Sequence, residues 1–329
     1  MTQTQRPADL AAIMPLVFVL IWSTGFVVAR FGMPYAPPMG FLAWRFALSV
    51  LAFGVWVLLS RAAWPKGRAQ WLHLAVIGVL IHAGYLGGVW SAVKLGIGAG
   101  TSALIVGLQP VLTALWVAMM APKAQASAAQ GGAVALGRPG RDATGQERRV
   151  TPRQWLGLAL GLCGLVLVVW HKLGHGEVTP TNLALCLMAL LAITIGTLYQ
   201  KRFVAPCDVR TANMVQLMAA FVVVLPLALL ESEAVQPTPA LFGAMAWSVL
   251  VLTLGGSSLL YMMVQRGAAT RVTSLMFLVP PCTSILAWLL FDELLTPLVL
   301  AGLVLTAVGV GLVVREPARQ DQPRLETLR

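Results

Sequence analysis

Charged residues are scarce in this chain. They make up 11% of its 329 residues, whereas 58% of the residues are hydrophobic. A soluble globular domain carries about 25% charged residues, and a soluble fold of this length would need more polar residues to cover its surface. The composition therefore excludes an ordinary soluble domain and indicates an integral membrane protein.

The familiar motifs of catalysis and nucleotide binding are also missing. The sequence contains no HExxH, no GxSxG and no P-loop, which are the usual signatures of zinc proteases, serine hydrolases and ATPases. Its four cysteines form no CxxC pair, and its four histidines are scattered. We therefore expect no metal, no cofactor and no enzymatic activity.

The net charge of +11 does not indicate a nucleic-acid partner. The basic residues lie in short loops between apolar segments, and no nucleic-acid fold signature accompanies them. An excess of Lys and Arg in cytoplasmic loops of a membrane protein explains the charge more simply. The expected partners are a small-molecule substrate and the lipid bilayer, with a homodimer left open and no nucleic acid.

Ten apolar segments are long enough to be membrane spans, since a bilayer core about 30 Å thick is crossed by about 20 helical residues. The predicted spans are 11–30, 38–59, 71–90, 97–120, 153–170, 181–200, 211–230, 240–263, 271–291 and 297–314. The fold class predicted from them is an all-α integral membrane protein with ten transmembrane helices.

The distribution of Lys and Arg predicts the orientation. If the N-terminus is cytoplasmic, nineteen of the 23 Lys and Arg residues fall on the cytoplasmic side, three fall outside, and Arg45 lies within a span. Cytoplasmic loops carry such an excess, and one missed or invented helix near the middle would abolish it. Both termini are therefore predicted to be cytoplasmic.

The sequence repeats itself. The segment GIGAGTSALIVGLQPVLTALW from Gly96 aligns with GAATRVTSLMFLVPPCTSILA from Gly267, so that Pro110 pairs with Pro281. Further on, GLALGLCGLVLVV from Gly157 matches GLVLTAVGVGLVV from Gly302. Each half then holds five helices, and an odd number makes the two halves inverted repeats. Many secondary transporters are built this way, with the substrate site near the midplane.

These segments resemble the drug/metabolite transporter superfamily, specifically proteins with two EamA domains. The similarity is carried by WSTGFVVARFG, WRFALS, AVKLGIGAGTSALIVGLQPVLTALW and the long stretch from Gln265 to Val314. The resemblance implies a bacterial inner-membrane location. The family often has a Glu after the fourth and ninth spans; Glu293 fits the second position, but Pro122 and Lys123 stand at the first. Asp292 and Glu293 are expected to be solvated at an outer helix end.

The predicted organisation has five parts. The first EamA-like repeat covers 11–121, and the fifth span at 153–170 closes it. A segment rich in Ala, Gly, Gln and Arg at 122–152 is predicted to be a disordered cytoplasmic insertion. The second repeat covers 181–314, and 315–329 is a cytoplasmic tail.

Arg45 is the strongest functional candidate because a charge inside a span is expensive and marks a substrate or ion pathway by default. It could bind a carboxylate or phosphate, or it could be structural. Proline inside a span leaves a backbone carbonyl without its donor. The helices that contain Pro110, Pro280 and Pro281 are therefore predicted to border the pathway.

Polar and aromatic side chains within the spans complete the set of pathway candidates, and for each of them simple packing is the alternative. The polar candidates are Ser23, Gln109 and Gln265. The aromatic candidates are Trp22, Trp44, Tyr85, Tyr199, Tyr261 and Trp288.

The predicted function is a secondary transporter that moves a small metabolite or drug-like solute across the cytoplasmic membrane by alternating access, with export favoured. The weaker alternatives are a channel, for which no ring of like charge or carbonyl filter is visible, and a membrane-embedded enzyme. No carboxylate lies deep in a span, so a facilitator or exchanger is as consistent with the sequence as a proton-coupled exporter.

Overall fold

The computed structural model describes residues 8–120, 152–174, 176–259 and 276–314. Within these ranges the chain folds into helices joined by short loops, and no strand occurs there. The expected insertion at 122–152, apart from Pro152, and the tail at 315–329 lie outside the described residues.

The first half contains seven α-helices and one π-helical segment. They are α1 (Ala8–Gly32), α2 (Pro38–Ser60), α3 (Arg68–Ile77), π1 (Gly78–Leu86), α4 (Gly87–Lys94), α5 (Ala99–Val106), α6 (Gln109–Met120) and α7 (Pro152–Gly174). The segments α3, π1 and α4 form one continuous helical rod.

The second half follows the same plan. It contains α8 (Pro180–Phe203), α9 (Val209–Leu230), α10 (Pro239–Ala246), π2 (Trp247–Gly255), a 3₁₀ turn (Met276–Leu278), α11 (Val279–Phe291) and α12 (Pro297–Val314). Helix α10 runs on through π2 as α3 runs on through π1.

Seven of the described helices are long and apolar enough to cross a membrane, and three shorter apolar helices accompany them. The three shorter helices are Ala99–Thr113, Val279–Phe291 and Pro297–Leu312. Each of these ten helices overlaps one of the ten segments predicted from hydropathy. An all-helical protein with several membrane spans is therefore confirmed, whereas ten full crossings stay a prediction.

Several helix ends differ from the predicted span ends. The helical rod predicted at 71–90 extends from Arg68 to Lys94. The span predicted at 97–120 is interrupted between Val106 and Gln109. Proline at position 110 fits the start of a new helix, where its missing N–H costs nothing, so the interruption follows from the sequence.

Equivalent elements of the two halves pack against each other. Helix α2 packs along α9, and α7 packs along α12. In the first half π1 and α4 contact α8, while in the second half α10 and π2 contact α1. Exchanging the two halves therefore leaves the pairings of α2 with α9 and of α7 with α12 unchanged. It converts the contact of π1 and α4 with α8 into the contact of α10 and π2 with α1.

Helix α7 approaches α12 closely because glycines face each other. A methyl group added at Gly164 would lie 2.5 Å from the Gly302 carbonyl oxygen and 2.5 Å from Thr306 Oγ1. Small residues allow this backbone approach between membrane helices. The predicted repeat of glycine-rich segments thus corresponds to a real contact between the two segments.

Candidate functional site

Arg45 lies on α2 in the interior of the helix bundle. Its residue is 7% exposed. The Nη2 atom donates a hydrogen bond of 3.3 Å to Thr253 Oγ1 on π2, and the guanidinium carbon lies 5.8 Å from the centre of the Trp90 ring. Cation–π attraction favours that position. Arg45 therefore connects a helix of one half with a π-helical segment of the other.

Three buried polar atoms around this connection have no hydrogen-bond partner in the described part of the chain. They are Arg45 Nε, Ser49 Oγ and Ser248 Oγ. Ser49 lies one turn beyond Arg45 on α2, and Thr253 Oγ1 bonds the Ser248 carbonyl oxygen at 2.8 Å. Buried polar groups nearly always have a hydrogen-bond partner. Three polar atoms without one at the contact between α2 and π2 therefore mark this contact as a candidate site.

Two residues of the π1 segment lie near Arg45. Tyr85 is buried and lies within electrostatic range of the guanidinium, as does His82. The His82 side chain lies near Gln216 of α9 and edge-on to Phe46, with ring centres 6.1 Å apart. Single π-helical turns occur frequently at functional sites.

The Arg45 guanidinium has no carboxylate partner within the described ranges. The ion pairs found there join Lys94 to Glu233, Lys172 to Glu177, and Arg210 to Asp208, all at helix ends or in loops. An unpaired charge in the bundle interior is costly. The cluster therefore combines a net positive charge, hydroxyl groups and aromatic rings in the bundle interior.

Other predicted pathway residues lie elsewhere in the bundle interior. Ser23 joins α1 to α11, because its carbonyl accepts a 3.2 Å bond from Thr283 Oγ1 and its Oγ lies 3.5 Å from the Val279 carbonyl oxygen. Gln109 Nε2 donates to Thr197 Oγ1 at 2.9 Å. These bonds hold helices together in the present conformation.

The remaining predicted positions fall into three groups. Pro110, Pro280 and Pro281 lie in the first turns of α6 and α11. Tyr199 bonds His73 Nδ1 at 2.8 Å near the end of the bundle opposite Glu293, and Trp22 packs on Phe18 with ring centres 5.4 Å apart. Tyr261 and Gln265 lie outside the described residues.

Trp44 and Trp288 face away from the bundle interior. Trp44 is 64% exposed and Trp288 is 49% exposed. Exposed apolar side chains continue from Trp44 along α2 at helical spacing: Leu48, Leu51, Val55 and Leu58. A stripe of this kind on a membrane helix contacts lipid. In this conformation, therefore, the structure does not bring these two residues to Arg45.

Sequence reasoning missed several members of the Arg45 cluster. His82 was taken as one of the scattered histidines, and Ser49, Ser248 and Thr253 were not singled out. Helical spacing carried part of the signal, since Ser49 follows Arg45 by four residues and Tyr85 follows His82 by three. Nothing in the sequence pairs α2 with π2, so Ser248 and Thr253 could not be assigned to the cluster.

Two glutamates cap helix N-termini at one end of the bundle, which is here called the Glu293 end. Glu293 was expected to be solvated, but its carboxylate accepts hydrogen bonds from the backbone N–H groups of Ala99 at 2.8 Å and Gly100 at 3.4 Å. Glu231 likewise accepts from Met39 at 3.0 Å and Gly40 at 2.7 Å. Each carboxylate belongs to the second half and caps a helix of the first half.

The expectation for Glu293 was wrong because the N-termini of α2 and α5 lack a cap from their own neighbours. Pro37 and Gly98 precede the two helices, and neither forms a side-chain cap bond. The first backbone N–H groups of a helix require an acceptor, and a carboxylate at that position also interacts favourably with the helix dipole.

A family model for EamA-like transporters matches residues 9–126 and 181–315, which together are most of the chain and correspond to its two halves. The chain belongs to the EamA-like transporter family. The two EamA regions leave out residues 127–180, which include most of the insertion and α7, whereas the sequence repeat includes a segment of α7. The recognition made from the sequence is therefore confirmed.

Curated relatives of this EamA-family chain are also named as transporters. It is 24% identical over 321 residues to a "Probable amino-acid metabolite efflux pump" of Salmonella typhimurium. This alignment covers 93% of this chain and 97% of the relative. It is 24% identical over 233 residues to the "Uncharacterized inner membrane transporter YedA" of Escherichia coli, with 71% and 66% covered. The "Uncharacterized transporter YvbV" of Bacillus subtilis is 23% identical over 316 residues.

A solved crystal structure shares the fold. It superposes with a TM-score of 0.61 at 18% sequence identity, and the match covers 92% of this chain and 96% of the other. Family membership and the apolar helices together establish a multi-pass membrane protein of a transporter family.

Proposed function

We propose that this protein exports a small metabolite across the cytoplasmic membrane by alternating access, with the Arg45 cluster as its substrate site. The observation that carries the proposal is the buried guanidinium, which has no counter-ion in the described part of the chain and lies between the two halves. Carriers place their substrate sites near the midplane at such an interface.

Inverted five-helix repeats supply the mechanism. The reciprocal pairings of α2 with α9 and of α7 with α12 support a two-fold relation between the halves, as do the π-helical segments at matching positions. Two halves of the same plan have two equivalent ways of packing against each other. Rocking between these packings exposes a central site to one side of the membrane at a time.

The names of relatives support export and location. The Salmonella typhimurium relative is named an efflux pump, and the name of YedA supports an inner-membrane location. With both termini cytoplasmic, as the distribution of Lys and Arg favours, the Glu293 end faces the periplasm, and there the bonds of Glu231 and Glu293 hold the two halves together.

Metabolite profiling of the medium tests the proposal. Cells that lack close relatives would express wild-type protein, Arg45→Gln, Arg30→Gln or an empty vector, and membrane amounts would be matched. Arg30 is a half-buried arginine near the end of α1, so its variant controls for loss of a positive charge. We expect a set of compounds to accumulate with wild type and Arg30→Gln only.

Two outcomes contradict parts of the proposal. If wild type and empty vector give the same medium at verified expression, the protein is not an exporter under those conditions. If Arg45→Gln accumulates the same compounds as wild type at the same rate, the transport site lies away from Arg45.

A further inference from the structure

We infer that the transported solute is an organic monoanion whose carboxylate pairs with Arg45 and which carries no free amino group; this inference rests on the proposed transport function. The relatives' names do not state it. It follows from the charge, the hydrogen-bonding character and the aromatic surroundings of the cluster.

Charge balance selects a single negative charge. Arg45 is buried without an ion-pair partner in the described residues, and the other strongly buried cation there, Lys172, is paired with Glu177. A carboxylate would neutralise Arg45 and remove the cost of one isolated charge. A phosphate monoester carries about −1.5 to −2 charges, so one guanidinium would leave part of its charge unbalanced.

The hydrogen-bonding groups of the cluster select an acceptor. Arg45 Nε is a donor only, and the Ser49 and Ser248 hydroxyl groups can each donate one proton. All three are buried and unmatched in the described part of the chain. An ionised carboxylate is an acceptor only, with room for several donors on its two oxygens. Such a group therefore satisfies every orphaned atom, which an ammonium group could not do.

No acidic residue of the described part of the chain is placed to pair with an amino group of a substrate at Arg45. The chain has 12 Asp and Glu residues; those that the structure describes lie in loops or at helix ends, and none of the others falls in a predicted span. An α-ammonium group bound beside Arg45 would meet a like charge with no carboxylate of the described residues in reach. Acylated or deaminated acids therefore fit the cluster better than zwitterionic amino acids do.

The body of the solute meets aromatic surfaces. Tyr85 and Trp90 are buried beside Arg45, and Phe46 lies on the same helix with its ring against His82. Aromatic side chains bury large apolar areas and favour flat or apolar partners. Aromatic or branched aliphatic monocarboxylates are thus the chemical class expected.

Thermal unfolding of the purified full-length protein with four matched probes tests the inference. The probes are N-acetyl-L-phenylalanine, its uncharged amide, L-phenylalanine and phenethylamine, which differ mainly in charge. At about 10 mM we expect only the N-acetyl acid to raise the unfolding temperature of wild type, by about 2 °C or more. Arg45→Gln should lose the shift.

Two further variants show whether the geometry or only the charge matters. Arg45→Lys keeps the positive charge but loses the planar fork, so it should retain less than half of the shift. Combined Ser49→Ala and Ser248→Ala should reduce the shift while Arg45 stays in place. Arg30→Gln should behave as wild type.

The comparison among probes on wild type decides the inference even if Arg45→Gln does not fold. Any of three results on wild type overturns the inference. The uncharged amide could raise the unfolding temperature as much as the N-acetyl acid does, L-phenylalanine or phenethylamine could raise it more, or the N-acetyl acid could leave it unchanged. Export of amines or neutral compounds in the profiling experiment overturns it but leaves the export proposal standing. If the protein binds the monoanion but exports nothing, the export proposal is contradicted, whereas the assignment of a monoanion site at Arg45 stands.

Discussion

The Glu293 carboxylate lies 2.8 Å from the backbone nitrogen of Ala99, so a residue that follows α11 caps the start of α5. Glu177 shares this helix start, since it accepts a hydrogen bond from the Gly98 N–H at 3.0 Å and forms an ion pair with Lys172. The two halves are therefore tied at the Glu293 end by bonds that the proposed alternating-access movement would have to break.

Replacing Glu293 by Gln should loosen this end, because the amide carries no charge and only one of its two ends accepts a hydrogen bond. Cys186 is buried near Ser102 on α5, and its labelling by a membrane-impermeant maleimide, followed by mass spectrometry, reports the opening. We expect a several-fold faster reaction in Glu293→Gln. The matched control is Asp292→Asn at the exposed neighbouring position, and equal rates in the two variants would rule out a sealing role for Glu293.

Replacing Thr253 by Val should destabilise the protein by about 1–3 kcal/mol, because it removes a hydrogen bond to a buried charged group. Thr306→Val is the control. Thr306 is also buried, but its hydroxyl has no hydrogen-bond partner in the described residues, so its replacement should change stability by less than about 0.5 kcal/mol. Denaturant or thermal unfolding in detergent measures both, and similar losses in the two variants would contradict the role of Thr253.

Replacing Gly164 by Ala should weaken the contact between α7 and α12. The new methyl group would lie 2.5 Å from the Gly302 carbonyl oxygen, and such overpacking costs about 1–3 kcal/mol. Gly311→Ala on α12 meets open space and should be neutral or slightly stabilising, because alanine favours a helix over glycine. A Gly164→Ala protein as stable as Gly311→Ala would contradict the close approach.

Replacing Asp208 by Asn should lower stability at neutral pH by about 0.5–1 kcal/mol. Hydrogen bonds from the Arg210 side chain and backbone hold the pKa of Asp208 below its usual range. The ionised carboxylate therefore stabilises the fold above its usual pKa of about 4, and this contribution is lost as the pH falls through the lowered value. The unfolding temperatures of wild type and variant should converge in acid; a constant difference would contradict this account.

The sequence predicted much of the fold because each membrane helix corresponds to a long run of apolar residues. Each described apolar helix overlaps one of the ten predicted segments, and Pro110 and Pro281, which pair in the repeat, both lie in the first turn of a helix, α6 and α11. Local chemistry explains both results. The hydropathy of a span depends only on the residues within it, and proline affects only the helix turn in which it lies.

The candidate site was predicted only in part. Arg45 and Tyr85 were recognised because a charge or a polar ring inside a span is conspicuous on its own. Trp44 has the same kind of sequence context as Arg45, yet it lies on the lipid-facing stripe of α2. Adjacent residues on a helix point about 100° apart, and the sequence does not say which of the two directions faces the interior.

By itself the sequence determined that the chain is a multi-pass helical membrane protein of the EamA-like family built from two similar halves. Only the tertiary structure decided which groups meet. It placed Thr253 beside Arg45, and it brought Glu231 and Glu293 to helix starts that Pro37 and Gly98 leave uncapped. The physical reason is that hydropathy and propensity act within one helix, whereas caps and charge partners taken from the other half depend on how the helices pack.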